Sequence, residues 1–271
     1  MAVLSIQSSV IFGYVGNSIA RPVLQSLGHD VWCVDTVNFS NHPGYGRFTG
    51  SVNEADKIED EISGLVNLEI LSDCDAILSG YLGKVETAKV VSRTVELIKQ
   101  QNKKAVYLLD PVIGDDGQVY VENGLIEAFK NILLPQADII FPNQSELGWL
   151  SGFEIDDISS LKTAANHLMQ RGPEAVVVTG IAQSATLTNY VVSRTHFWEI
   201  STPKLNRKFN GTGDLFSSLF TNAFLQTKDV HNALEFATEG CSLVVRETQK
   251  RNSNELCILP VMSQFSKFGT P

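Results

Sequence analysis

Asn210-Gly211-Thr212-Gly213-Asp214 joins an anion cradle to a carboxylate. Two glycines let the backbone come close to a ligand, and the apolar-rich run over 215–220 predicts a buried helix directly after them. A helix starting there aims its unpaired N–H groups and the positive end of its dipole at whatever lies above the glycines. Asp214, in the first turn, would face the same point. A carboxylate beside an anion site suits binding poorly. It suits phosphoryl transfer well, because there a base orients the attacking hydroxyl. The same residues also read as a plain Gly-rich turn with an Asp at a helix start, and the motif by itself leaves both readings open.

Chemistry of this kind needs a scaffold, and the chain alternates strand-like with helix-like segments. Apolar runs predict strands over 3–6, 31–37, 76–78, 105–109, 137–141 and 175–179, with an antiparallel pair over 187–192 and 196–200. Helical spacing covers 55–68, 85–101, 161–170, 215–225 and 230–245. A first helix is expected from Asn17 as cap, through Pro22 in its first turn, to a stop at Gly28. Alternation with near-continuous apolar strands implies an α/β fold, a mostly parallel central sheet with helices on both faces. No Pro/Gly/Ser-rich linker splits the chain, so 1–271 reads as one domain. In such sheets ligands bind beyond the carboxyl ends of the strands. Ser8, Tyr81, Asp110, Asn143 and Thr179 all stand at expected ends. One stretch departs from the pattern: residues 38–46, rich in aromatics, glycines and polar side chains, predict a small flap over those ends.

With 271 residues, 43% hydrophobic and 19% charged, the chain is long enough for one sizeable core. A net charge of −9 argues against nucleic acid or an anionic membrane surface as partner. Cys33, Cys74, Cys241 and Cys257 are scattered without a C-x-x-C pair, as expected of reduced thiols in a cytoplasmic protein. No signal-like segment or membrane-length apolar run is read. A Walker A loop, H-E-x-x-H and G-x-S-x-G are absent, and Gly211-Thr212-Gly213 lacks the third glycine of a dinucleotide fingerprint.

Taken in order, the motifs resemble the ribokinase superfamily and, within it, the pyridoxal kinases. The resemblance rests on Ser5-Ile6-Gln7-Ser8 with Gly13 and Gly16-Asn17, on residues 36–42 with Tyr45, on Leu78-Ser79-Gly80-Tyr81, on Asp110-Pro111-Val112 with Gly114-Asp115, on Pro142-Asn143 with Glu146, and on Gly211 to Asp214. It covers almost the whole chain.

The resemblance implies a ribokinase-like kinase that uses ATP and Mg2+ to phosphorylate the 5′-hydroxymethyl group of pyridoxal, as a homodimer. Asp214 would be the base, with Gly211, Thr212 and Gly213 holding the transferring phosphoryl charge. Ser8, His42, Pro43, Gly44 and Tyr81 would line the pyridoxal pocket. Asp110, Phe141, Asn143, Glu146, Thr179, Arg207, Lys208, Phe209 and Asn210 would form the ATP side, with Asp115 and Glu146 toward magnesium. Arg207 and Lys208 would supply the local positive charge that an acidic chain needs beside a triphosphate.

Bland readings stand beside these. Asn143 to Glu146 has capping-box spacing, and Asp115-Asp116-Gly117 is turn-like. His42 reads as a flap hydrogen-bonder and not a base. Two positions depart from the family. Pro43 stands where many members have Thr, and Asn210 stands where hydroxymethylpyrimidine kinases tend to have Cys. A kinase of another small alcohol and a non-catalytic pyridoxal phosphate binder remain the alternatives.

Overall fold

The computed structural model describes residues 1–205 and 207–265. Its strands are β1 (Ala2–Phe12), β2 (Asp30–Asn41), β3 (Gly50–Val52), β4 (Cys74–Ser79), β5 (Val106–Leu109), β6 (Gly114–Asp115), β7 (Gln118–Val119), β8 (Ile139–Ile140), β9 (Ala175–Ala182), β10 (Thr186–Ser193) and β11 (Phe197–Pro203). The main helices are α1 (Asn17–Ser26), α2 (Ala55–Asn67), α3 (Val85–Gln101), α4 (Leu125–Ala128), α5 (Gln144–Ser151), α6 (Ile158–Met169), α7 (Thr212–Thr227) and α8 (Val230–Lys250).

Nine strands form one sheet in the order β11-β10-β9-β8-β5-β4-β1-β2-β3. Every neighbouring pair from β2 across to β9 is parallel, and β3, β10 and β11 are added antiparallel. Strand side chains alternate sides, which sorts them between two cores. Leu4 and Ile6 of β1 and Val176 and Val178 of β9 enter the core beneath α2, α3 and α6. Val3, Leu78, Leu108 and Val177 enter the core beneath α1, α7 and α8. Burial on both faces is why these strands read as unbroken apolar runs.

Several elements differ from the sequence expectation. Asn17 does not cap α1; Gly16 occupies that position, and Pro22 falls in the second turn. The buried Asn17 amide instead donates to the Val34 carbonyl (3.0 Å) and Asp35 Oδ1 (2.8 Å), and accepts from Ser5 Oγ (2.7 Å). A buried amide must satisfy both its ends, and strands β1 and β2 offer more partners than one helix terminus. β8 is shorter than 137–141 because the Ala137 N–H still closes the preceding turn and Pro142 has no N–H. The turn at 115–117 is the tip of the β6–β7 hairpin, with Asp116 (φ 50°) and Gly117 (φ 76°) in the left-handed region such tips require.

The flap is more regular than a loop. β1 and β2 run on past the end of β4 and stay paired as far as Phe12 and Asn41, beyond a bulge between Gln7 and Ser9. The chain then makes a 3-10 turn at Pro43–Tyr45 and returns as β3 against Val37, Asn38 and Phe39. Ser8 therefore lies inside a long strand, at the bulge, and not at a strand end. Bulges re-aim side chains without ending the pairing.

Candidate active site

Gly211 turns the chain into α7 at φ 82°, and a Cβ there would run into the Tyr14 carbonyl. Only glycine meets both conditions. Gly213 is different: it is exposed, and a Cβ would meet nothing within 4 Å. Thr212 Oγ1 donates to the Phe209 carbonyl (3.3 Å), closing the turn. Asp214 follows in the first turn of α7, half-buried, and accepts from its own N–H and from that of Gly16. Burial raises its pKa above the ordinary aspartate value, and those two donors oppose the rise. Gly16 begins α1, so the positive ends of two helices converge on this carboxylate. Gly16 (φ 51°) also packs so closely on Ser8 that a Cβ would collide with it. Ser8, Gly16 and Asp214 thus form one cluster.

Asp110 lies at the end of β5, 6% exposed. Its pKa is raised well above the usual value by burial and by the charges of Asp214 and Glu146, with the Ser217 hydroxyl opposing. Glu146 behaves otherwise. It closes a capping box with Asn143: Oε2 accepts the Asn143 N–H (2.9 Å), and Oε1 accepts the N–H groups of Ile113 (2.9 Å) and Gly114 (3.3 Å). Burial pushes its pKa up to about 8. Asn143 Nδ2 donates to the Gly114 carbonyl (2.7 Å), which ties the β6–β7 hairpin to α5. Thr179 bridges Asn143 where the parallel pairing ends, although β9 itself continues to Ala182.

The two residues assigned to magnesium are both engaged. Glu146 is spent on backbone N–H groups, and Asp115 is paired with Lys208 (3.3 Å). Lys208 also meets Asp116 (2.5 Å), so its charge is partly answered and it straps residues 207–210 to the hairpin. Arg207 is likewise held, by Asn252 (3.4 Å) and Asn254, with its guanidinium over the Phe209 ring. Phe141 and Phe209, expected on the ATP side, are packed in the core. Both are buried, and Phe141 packs edge-on to Phe220 (5.0 Å) beneath α7.

On the flap, His42 caps the 3-10 turn through Nδ1, which accepts the Gly44 N–H (3.0 Å). Burial lowers its pKa, against a raising effect of Glu255, so the neutral form is favoured. Pro43 sits at the first position of that turn, where a missing N–H costs nothing. Gly44 and Asn210 line a cleft of about 140 Å3 together with Tyr45, Arg207 and Asn254. Tyr81 follows β4, half-buried, and its carbonyl accepts from Thr36 Oγ1 (2.6 Å). The sequence reading missed the Gly16 N–H as a donor to Asp214, Ser217 and Glu255. Gly16 stood in the Gly16-Asn17 motif without a role assigned to its N–H, Ser217 and Glu255 belong to no motif, and the polar run 252–255 after α8 was visible.

Residues 49–257 match the family model described as phosphomethylpyrimidine kinase. Pyridoxal kinase PdxY of Granulibacter bethesdensis is 37% identical, covering 98% of this chain and 96% of that protein. The chain belongs to the pyridoxal kinase family. A pyridoxal kinase of Leishmania donovani, solved with ADP and ginkgotoxin, superposes with a TM-score of 0.93 at 32% identity, covering 98% of this chain and 95% of that one. A putative phosphomethylpyrimidine kinase of Bacteroides thetaiotaomicron superposes at 0.91 with 26% identity, covering 100% and 94%. The fold is therefore the ribokinase-like α/β fold of the pyridoxal kinases. The family model begins at residue 49, whereas the full-length pyridoxal kinase relatives extend the likeness over β1, β2 and the flap tip. No helix among the described residues is long and apolar enough to cross a membrane.

The donor set at the strand ends suits magnesium in one place. Asp110 is a buried oxygen donor that feels the charges of Asp214 and Glu146, and a divalent cation would relieve that repulsion. Among the described residues no three acidic, His or Cys side chains form a ready cage. Magnesium does not require one, since it keeps water and phosphate oxygens.

Proposed function

We propose that this chain transfers the γ-phosphoryl group of ATP to the 5′-hydroxymethyl group of pyridoxal, giving pyridoxal 5′-phosphate in vitamin B6 salvage. The observation that carries the reading is Asp214, a carboxylate of raised pKa set where the α1 and α7 N-termini meet, beside the open face of Gly213. A raised pKa makes the carboxylate a better proton acceptor near neutral pH. The exposed N–H groups at the start of α7 would stabilise the charge of the transferring phosphoryl group. The relatives' names and the ADP complex of the Leishmania enzyme support the same substrates.

In this reading, Ser8 and Tyr81 orient the pyridine ring and the His42-Pro43-Gly44 turn covers it. Asn143, Thr179 and the strap 207–210 border the ATP phosphates. Asp110 holds magnesium, directly or through water, in place of the Asp115–Glu146 pair, and the ion neutralises phosphate charge. Residues 1–271 act as one kinase domain in the cytoplasm. A homodimer is proposed from Ile11 (91% exposed) and Phe12 (58% exposed), which stand on the β1 extension where β4 no longer covers its edge. Sedimentation would reveal a monomer if that is wrong.

The kinase test is ADP release with pyridoxal, hydroxymethylpyrimidine or a sugar as acceptor, read together with formation of pyridoxal phosphate. Pyridoxal is expected to be the preferred acceptor. Faster turnover of hydroxymethylpyrimidine would favour the activity that the family model's description carries. Pyridoxal phosphate binding without turnover would make the chain a binder, a role with no need of Asp214.

A further inference from the structure

The flap tip carries little apolar anchorage of its own. No residue of the Pro43–Tyr45 turn is buried, and residues 43–50 are exposed. Its internal bonds, such as Thr49 N–H to Ser40 Oγ (3.0 Å) and Asn41 Nδ2 to the Arg47 carbonyl (2.8 Å), shape the flap without seating it on the body. Phe48 packs on Phe39 (4.8 Å) and Tyr45 on Phe12 (6.0 Å), both within the extension of β1 and β2, whereas the Glu255 side chain hydrogen-bonds the tip to the body of the domain. Glu255 Oε1 accepts from the Tyr45 hydroxyl (2.5 Å), and Oε2 accepts from the Tyr14 N–H (3.1 Å).

Both ends of that span matter. The Tyr14 carbonyl is the atom against which Gly211 packs, so the peptide that Glu255 grips also backs the start of α7. Glu255 stands on firm ground: Ser253 Oγ donates to the Glu255 carbonyl (2.6 Å) and accepts its N–H (3.1 Å), and the following Leu256 and Ile258 are core residues. The preceding residues, Asn252 and Asn254, hold Arg207 of the strap. One short segment after α8 therefore grips the flap on one side and the strap on the other. Between them lies the cleft bordered by Gly44, Tyr45, Arg207, Asn210 and Asn254.

We propose that Glu255 is a positioning residue, seating the flap through Tyr45 so that the substrate pocket is formed before pyridoxal arrives. This rests on the kinase reading above. Preorganising a loop lowers the ordering cost of binding, so the effect belongs in substrate affinity and not in the chemical step. The short, charge-assisted bond is strong for its type, and its exposure moderates the effect.

The test compares Glu255→Ala, Glu255→Gln, Tyr45→Phe and the double variant Tyr45→Phe/Glu255→Ala in the full chain at saturating ATP. Glu255→Ala and Tyr45→Phe are expected to raise the pyridoxal KM about five- to tenfold with kcat changed less than about twofold, as one charge-assisted hydrogen bond allows. The double variant should be no worse than the weaker single one, because both remove the same bond. Glu255→Gln, which keeps an acceptor, should recover most of the affinity. Without any ligand, amide hydrogen exchange at Gly44 to Gly46 should quicken in the Ala and Phe variants. An unchanged KM, additive KM effects, or a loss confined to kcat would overturn the proposal. If the wild type fails to phosphorylate pyridoxal, the kinase reading falls, and the exchange measurement still decides whether Glu255 seats the flap.

Discussion

The tip of the flap and the segment that leads into α7 border one cleft, and they are built in opposite ways. Gly211 to Asp214 lead into a helix whose Leu215, Phe216, Leu219 and Phe220 are sunk in a core, and the Tyr14 carbonyl fixes the turn from behind. The flap tip is exposed and held by a few polar contacts and by the ring pairs Phe39–Phe48 and Phe12–Tyr45 on its own strands. In the proposed kinase reading, the groups that meet developing charge are the rigid ones, because preorganised donors need no reorganisation during the reaction. In the same reading, the groups that cover the substrate are lightly held, as suits a loop that would move aside for it. If the contrast is real, changes at α7 should strike turnover or folding, whereas changes at the flap should strike affinity.

The largest effect is expected at the base. Asp214→Asn should retain the fold and ATP binding while losing turnover by about 100-fold or more. In the wild type the carboxylate must be ionised to accept a proton, so kcat falls as pH drops through its pKa. Because burial raises that pKa, the fall should begin at a higher pH than for an exposed aspartate. A pH–rate profile of both proteins checks this, and near-normal turnover in the variant would remove Asp214 from the mechanism.

The two glycines sharpen the contrast inside the cradle itself. Gly211→Ala forces a side chain into a left-handed turn and against the Tyr14 carbonyl, so a thermal melt should show a loss of about 1–3 kcal/mol. Gly213→Ala meets open space and should melt like the wild type, yet it should slow phosphoryl transfer if a phosphate approaches that face. Normal kinetics in Gly213→Ala would place the phosphoryl group elsewhere.

Glu146 separates capping from metal binding. Glu146→Gln should cost about 1 kcal/mol as a weakened cap, with the magnesium dependence of the rate little changed. The folded-state pKa of about 8 lies above the unfolded value near 4.5, so the folded protein holds this proton more tightly. The corresponding stability is full below the unfolded pKa and is lost as pH rises through the folded one. The melting difference between wild type and variant should therefore narrow from pH 5 to pH 8. A large rise in the magnesium requirement would return Glu146 to the metal.

The smallest effect belongs to the flap. Pro43→Thr adds a hydroxyl and loosens the turn, two changes that partly cancel. The pyridoxal KM should fall by a few-fold at most, with kcat unchanged. A large rise would show that the proline ring itself shapes the pocket.

The sequence by itself determined the sheet, its two-sided burial and the order of the motifs along it. These follow from local periodicity: apolar runs, helical spacing as over Val85–Gln101, and Gly-Thr-Gly-Asp ahead of an apolar helix. The sequence also marked His42 as a flap hydrogen-bonder, and its Nδ1 accepts the Gly44 N–H. What it did not determine was which polar group spends its bonds on which neighbour. Asp110, Asp115, Asp214 and Glu146 look alike in sequence. Yet tertiary contact leaves Asp110 and Asp214 at the site, ties Asp115 to Lys208, and commits Glu146 to three backbone N–H groups. Phe141 and Phe209 were read from their sequence neighbours, and the structure adds that both pack in the core. Asn17 was read as a cap from its position and became a strand clamp through burial. Partners of this kind lie tens to hundreds of residues apart, as Glu255 does from Tyr14 and Tyr45. A carboxylate's role is set by desolvation and by the donors that reach it, and both exist only once the chain has closed on itself.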